Sequence, residues 1–305
     1  MLHMQQERRD GIMTEDARPY RSVLYIPGSK PRALEKAQGL PADAIIFDLE
    51  DAVAPGEKPD ARALLAGRLA AGGYGARAQL VRINGFDTPW GDDDLAAIAA
   101  ARPQAVLLPK VNGPGDITAL AARLDARSET AATRIWAMME TCAGVLAARE
   151  IAAASPRLAG FVLGTNDLAK EMRALPRPDR LPLIAALSQC LMAARAHGLV
   201  CVDGVYNAFQ DEAGLRAECE QGRDLGFDGK TLIHPAQIAT ANAVFAPTEA
   251  DLSLARRRIS AYEEAVASGQ GVAVLDGQIV ENLHVETARA LLAKAKAIAV
   301  MEDAQ

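Results

Sequence analysis

Three carboxylates crowd the end of one apolar run. Residues 44–47 (AIIF) are the kind of stretch that sits inside a sheet, and Asp48, Glu50 and Asp51 follow within four residues. Burying such a cluster is costly unless each acid finds a partner. Arg82 and Lys110 stand at the ends of two later apolar runs and are candidate counter-ions, with a bound metal ion as a third candidate. Glu140 and Asp167 close two further runs. A carboxylate pair with no thiolate and no nearby histidine suits a hard, oxygen-loving ion. Mg²⁺ often takes only one or two protein carboxylates, with substrate and water completing its octahedron. Taken singly, each acid also fits as a helix cap. His234 is the only histidine at the end of such a run, and a backbone-bonded structural role fits it as well as a catalytic one. Arg21, Lys30, Arg32 and Lys36 surround the first run and the segment after it, RSVLYIPGSKPRALEKA. Gly28-Ser29 ahead of Pro31 leaves backbone N–H groups free at a helix start, which suits a phosphate. A solvated helix face explains the same charges.

These residues must be positioned by the elements that precede them. Eight short apolar runs recur: SVLYIPG (22–28), AIIFDLED (44–51), QLVRING (79–85), AVLLPKV (105–111), RIWAMME (134–140), GFVLGTNDL (160–168), VCVDGVYN (200–207) and GKTLIHP (229–235). Between them lie Ala- and Leu-rich segments with charges at helical spacing, such as PDARALLAGRLAAG. Continuous apolar strands alternating with helices predict a parallel sheet covered on both faces. Eight β/α units in roughly 225 residues is the count of a TIM (β/α)8 barrel. A doubly wound open sheet is the alternative, usually with fewer strands at this length. In a barrel the strand ends converge on one mouth. That gathers Asp48, Glu50, Asp51, Arg82, Asn84, Lys110, Glu140, Asn166, Asp167, Asp203, Asn207 and His234 in one place.

Bulk properties exclude other classes. The chain has 305 residues, half of them hydrophobic, enough for a large core. A net charge of −6 argues against a broad nucleic-acid surface and leaves room for a local basic patch. Cys142, Cys190, Cys201 and Cys219 form neither C-x-x-C nor a zinc spacing, and read as free thiols of a cytoplasmic protein. No apolar run is long enough to span a membrane. Residues 1–20 lack an apolar signal core and read as a flexible tail. GGYGAR (72–77) follows a helix and precedes a strand, the wrong context for a dinucleotide loop, and no G-x-S-x-G elbow occurs.

Together, RSVLYIPGSKPRALEKA, ADAIIFDLEDAVAPGEK, VRING, LLPKV, METCAG, LGTNDLAKE and LGFDGKTLIHPAQI resemble the citrate lyase β-subunit-like proteins. These belong to the aldolase and citrate lyase superfamily that includes malyl-CoA and citramalyl-CoA lyases. The resemblance runs over about residues 21–300, in the family's order. It implies a Mg²⁺-dependent barrel, trimeric or a multiple of trimers, that cleaves or forms the C–C bond between a 2-oxoacid and an acyl-CoA thioester. It makes Glu140 and Asp167 the metal ligands and Arg82 the residue that binds substrate oxygens. Glu50 and Asp51 then orient Arg82 and a water, and the basic cluster of Arg21, Lys30 and Arg32 holds the CoA phosphates. The expected domains are a barrel over 21–247 and a helical lid over 248–305 that reaches a neighbouring subunit.

One departure lies in that tail. Helices are expected over 251–268 and 285–303, joined by a Gly-containing turn. The family commonly carries G-x-M-[IV]-D-x-P there, its aspartate being an acid/base that enters a neighbouring site. Gly277, Ile279 and Val280 fit, but Glu281 replaces the aspartate and Leu283 the proline. A C–C lyase on a malyl-, citramalyl- or citryl-like thioester is therefore the first reading. Its rivals are a thioesterase on the same substrates, a citrate lyase subunit working on an acyl-carrier thioester, and a catalytically weak 2-oxoacid-binding protein.

Overall fold

A computed structural model of the protein describes residues 18–304, so most of the expected N-terminal tail lies outside the described residues. Eight strands close into a parallel barrel in chain order: Ser22–Pro27 (β1), Ala44–Asp48 (β2), Ala78–Arg82 (β3), Ala105–Leu108 (β4), Arg134–Met139 (β5), Leu158–Leu163 (β6), Val200–Asp203 (β7) and Gly229–Leu232 (β8). β8 pairs back onto β1, so the open-sheet alternative is excluded.

Each strand feeds two cores, because successive side chains point to opposite faces. Val23, Ala44, Ile46, Ala78, Leu80, Ala105, Leu107, Trp136, Met138, Val162 and Val202 pack together in one buried cluster, the barrel interior. Their strand neighbours, such as Leu24, Ile45, Phe47, Val81, Val106, Ala137, Phe161 and Cys201, pack in a second cluster with the helices. That double burial explains why the runs are apolar throughout rather than alternating.

The chain divides into two compact units, Tyr20–Phe245 and one that contains Ala246–Ala304. In the second unit, helices Glu249–Ala267 and Asn282–Asp303 form as expected. Thr248 starts the first with a capping box: its hydroxyl accepts from the Asp251 N–H at 3.1 Å, and its own N–H donates to Asp251 Oδ2 at 3.0 Å. The expected plain turn between them is instead an antiparallel hairpin, Ala273–Leu275 (β9) against Gln278–Val280 (β10). Asp276 and Gly277 both hold positive φ, 50° and 76°, the backbone that a two-residue Asp-Gly hairpin turn demands. Among the described residues no helix is long and apolar enough to cross a membrane.

Candidate active site

The alternation of side chains decides which strand-end residues reach the barrel mouth. Asp48 is in phase with Ala44 and Ile46, Arg82 with Ala78 and Leu80, and Glu140 with Trp136 and Met138, so all three turn inward. Arg82 is the hub. Its Nε donates to Asp48 Oδ1 at 2.7 Å and its Nη2 to Asp48 Oδ2 at 2.6 Å, a bidentate pair. The remaining nitrogen, Nη1, lies 2.9 Å from Glu50 Oε2, 3.5 Å from Asp51 Oδ2 and 3.6 Å from Met138 Sδ. The Tyr25 ring sits 5.0 Å from the guanidinium carbon. Burial opposes the charge of Arg82, and Asp48 above all outweighs it, so the guanidinium is held in its charged form. Burial likewise pushes the Tyr25 phenol up.

Lys110 ties two acids together. Its Nζ donates to Glu50 Oε1 at 2.5 Å and its backbone N–H to Glu140 Oε1 at 2.7 Å, from a left-handed backbone of φ 52° that few non-glycine residues adopt. Burial works against the Lys110 ammonium, but Glu50 more than offsets it and raises its pKa, which argues against a free amine nucleophile. Glu140 is 1% exposed. Burial first, then repulsion from Glu50 and Asp167, pushes its carboxyl up to about 7, against the pull of the Lys110 N–H and Arg82. Burial and Asp51 push Glu50 up as well, with Arg82 and Lys110 opposing. Gly164, just after β6, makes the space: a Cβ there would fall 2.4 Å from Glu140 Cβ and 2.5 Å from its Oε2. Asp167 stands in the first turn of the helix Thr165–Glu171 rather than on the strand itself.

These groups suit a divalent cation. Glu140 and Asp167 interact, both offer hard oxygen, and the repulsion at Glu140 is what an added positive charge would relieve. Among the described residues no group of three or more His, Cys, Asp or Glu side chains is placed to hold a metal.

Two sequence expectations change, for Arg21 and Asp203. Arg21 precedes β1, at the opposite pole of the barrel from the mouth. It is buried there against Asp43, with Nε to Oδ2 and Nη2 to Oδ1 both at 2.9 Å, and so leaves the proposed phosphate cluster. Asp203 is in phase with Cys201, not Val202, and so faces the helices rather than the mouth. His234 takes a structural position: its Nδ1 accepts the Ala236 N–H at 3.2 Å and its ring stacks on Phe209 at 4.6 Å. Lys30 and Arg32 are exposed at the start of the helix Pro31–Ala37. Glu281 is exposed at the N-cap of Asn282–Asp303, where its N–H donates to His284 Nδ1 at 3.0 Å. Sequence reasoning did not single out Tyr25, Met138 or Lys58; the first two were marked by their inward phase.

Residues 21–235 match the family described as HpcH/HpaI aldolase/citrate lyase. The chain belongs to that family. Residues 180–300 also match a C–C bond lyase family of the TIM-barrel fold. The protein is 63% identical over 287 residues to one from Cereibacter sphaeroides named (3S)-malyl-CoA thioesterase, covering 94% of this chain and 98% of that one. It is 35% identical to the citrate lyase β subunit of Escherichia coli, covering 96% and 98%. Among solved structures it resembles CitE of Mycobacterium tuberculosis in complex with magnesium, acetoacetate and coenzyme A. The TM-score is 0.75 at 30% identity, over 92% of this chain and 98% of that one. Membership of this family makes the protein an enzyme of the aldolase/citrate lyase type.

Proposed function

We propose that the protein hydrolyses a 3-hydroxyacyl-CoA thioester of the malyl type. The observation that carries this is the 63% identity to a (3S)-malyl-CoA thioesterase along almost the whole of both chains, against 35% to a citrate lyase β subunit. C–C cleavage of the same substrate, the first reading from the sequence, becomes the second. It is supported by the C–C bond lyase match and by the carboxylate kept at Glu281.

In this reading Glu140 and Asp167 would hold Mg²⁺, which when bound would supply Lewis-acid polarisation of the substrate's oxygens. Arg82 offers Nη1, the nitrogen that Asp48 does not take, to oxygen on which negative charge develops. Glu50 Oε2 is buried in an ion pair with Arg82 Nη1 at 2.9 Å but accepts no aligned hydrogen bond, so it keeps a lone pair for the attacking water, with Asp51 at the rim beside it. The water oxygen bonds to the thioester carbonyl carbon, the C–S bond breaks, and the proton taken by Glu50 passes to the departing sulfur. For C–C cleavage the same Glu50 oxygen takes the hydroxyl proton instead, and the enolate carbon receives a proton from Glu281. Lys30 and Arg32 hold the CoA phosphates. In the cleavage reading Glu281 acts on a neighbouring chain of a homotrimer or multiple of trimers, so mixing Glu281→Gln with Asp167→Asn chains restores the cleavage that each variant lacks. Mixtures that stay inactive while both parents fold would remove the shared site.

The deciding experiment incubates the protein with malyl-CoA and Mg²⁺, titrates free thiol and identifies the products by mass spectrometry. Hydrolysis releases CoA thiol and intact hydroxyacid. A 2-oxoacid and a shorter acyl-CoA, with no thiol release, would overturn it in favour of cleavage.

A further inference from the structure

We infer that Lys58 is the positioning residue of the acidic loop: its ammonium fixes the peptides of Leu49 and Glu50 and so holds the Glu50 carboxylate between Arg82 and Lys110. Lys58 opens the helix Lys58–Ala71 and is 5% exposed. A cation at a helix N-terminus opposes the macrodipole, so helix stability does not account for it. No acid is in direct contact with it either: among the described residues Lys58 has no ion pair, and against the cost of burial Asp94, Glu50, Asp48 and Asp51 act on it only from a distance. Its contacts are three acceptors, Leu49 O at 3.0 Å, Glu50 O at 2.8 Å and Asn84 Oδ1 at 2.7 Å, with the Trp90 ring 5.0 Å away. An ammonium has three donors, and all three are used.

The amide it meets is itself fixed. Asn84 Nδ2 donates to Leu49 O at 2.9 Å and to Asp94 Oδ2 at 2.6 Å, and the Asn84 N–H donates to the same Asp94 oxygen at 3.0 Å. Asp94 Oδ1 in turn accepts Arg62 Nε at 2.8 Å. The loop after β2 is thereby tied to the segment after β3, two residues beyond Arg82. Glu50 bridges Arg82 and Lys110 with one oxygen each, so a small shift of its peptide breaks one contact or both. Lys58 touches no reacting atom itself; it acts through Glu50.

Two readouts test this, the kinetic one resting on the thioester chemistry proposed above and the exchange one independent of it. In Lys58→Met, amide exchange over residues 49–52 should accelerate about tenfold, while Mg²⁺ affinity by calorimetry stays within about twofold because Lys58 contacts neither Glu140 nor Asp167. Turnover should fall about a hundredfold, the usual order for a displaced catalytic group, with KM moving less than about threefold. In a Glu50→Gln background the same substitution should cost no more than about twofold further, because its effect passes through Glu50. Lys58→Gln, which keeps two of the three N–H donors without the charge, should shift each readout in the same direction and less. Unchanged exchange over 49–52, or an undiminished loss on top of Glu50→Gln, would overturn the assignment. A wild type with no thioester activity would remove the proposed function instead, and exchange would still decide the role of Lys58.

Discussion

Two clusters of buried charge lie on opposite faces of the same barrel wall, and their balance differs. On the outer face Asp203 accepts Arg180 Nη1 at 2.8 and 2.7 Å, Lys230 Nζ at 3.1 Å and the Gly204 N–H at 2.8 Å. Lys230 Nζ also donates to Glu218 Oε1 at 2.6 Å, and Arg180 Nε to Gln221 Oε1 at 2.7 Å. Two cations meet two anions there. Burial alone would raise the Asp203 carboxyl, yet Lys230 and Arg180 hold it below its ordinary value. At the mouth, Asp48, Glu50, Asp51, Glu140 and Asp167 face Arg82 and Lys110, and Glu140 is pushed up to about 7. The same chemical groups are closed by the fold in one place and left with excess negative charge in the other. The closed cluster belongs to stability; the open one is where the proposed cation and substrate would bind.

The largest expected effect is on the closed side. Lys230→Met leaves Asp203 and Glu218 short of a cation in a buried layer, and breaking such a pair typically costs about 3–5 kcal/mol. Denaturant unfolding should show that loss, with Mg²⁺ binding intact in the folded protein. A loss under about 1 kcal/mol, ordinary for a surface pair, would erase the distinction between the clusters.

That distinction was half legible in the sequence. The eight apolar runs and their order matched the barrel because fully buried parallel strands leave an unmistakable apolar signature. Asp48, Glu50, Arg82, Lys110 and Glu140 were marked by their places at strand ends, and the structure brings them into contact. Asp203 carried the same mark and belongs to the other cluster. The difference is one residue of phase: an acid one step out of register with Val202 faces helices, not the mouth. That phase was readable from the strand, whereas the partners Arg180 and Glu218 come from distant segments that no local spacing connects. Arg21 was misplaced for a similar reason, since a basic residue before a strand and one after it lie at opposite poles. The hairpin at 273–280 had its Asp-Gly signal, but strands of three residues are too short for periodicity to reveal.

At the mouth, Arg82→Lys keeps the charge and loses the fork that grips Asp48 with two nitrogens. Its cost should appear in catalysis rather than in metal affinity. A drop in kcat/KM of about 10²–10³-fold is expected, comparable to loss of an oxyanion donor. Steady-state kinetics with saturating Mg²⁺ checks it, and unchanged turnover would remove Arg82 from the mechanism.

Glu140→Gln should have the opposite sign to Lys230→Met. A carboxyl raised from its ordinary 4.5 to about 7 binds its proton across that window only in the folded state. Metal-free protein therefore gains stability from this group as pH falls from about 7 towards 4.5, and carries the full cost of the buried charge above it. Removing the charge should stabilise the metal-free protein at pH 8 by up to about 3 kcal/mol, and by almost nothing near pH 4.5. Denaturation in the presence of a chelator measures both. The same variant should lose Mg²⁺ binding. If it is instead destabilised at pH 8, or binds Mg²⁺ as wild type does, the mouth is a second closed cluster.

The smallest effect should come from charges outside both clusters. Lys30 and Arg32 are exposed, so neither stability nor metal affinity should respond to them. Exposed contacts are worth about 0.2–1 kcal/mol each, so reversing both charges should raise KM for a CoA thioester by roughly tenfold and leave kcat alone. The mechanism also fixes the salt dependence. At about 1 M salt the Debye length shrinks to about 3 Å, and the difference between variant and wild type should mostly vanish. The buried pairs around Arg82 are shielded from that screening, so the effect of Arg82→Lys should persist in the same buffer. A KM unmoved by reversal at low salt would make Lys30 and Arg32 a solvated helix face. A KM effect equally large at high salt would mean that the substitutions act through structure rather than through charge.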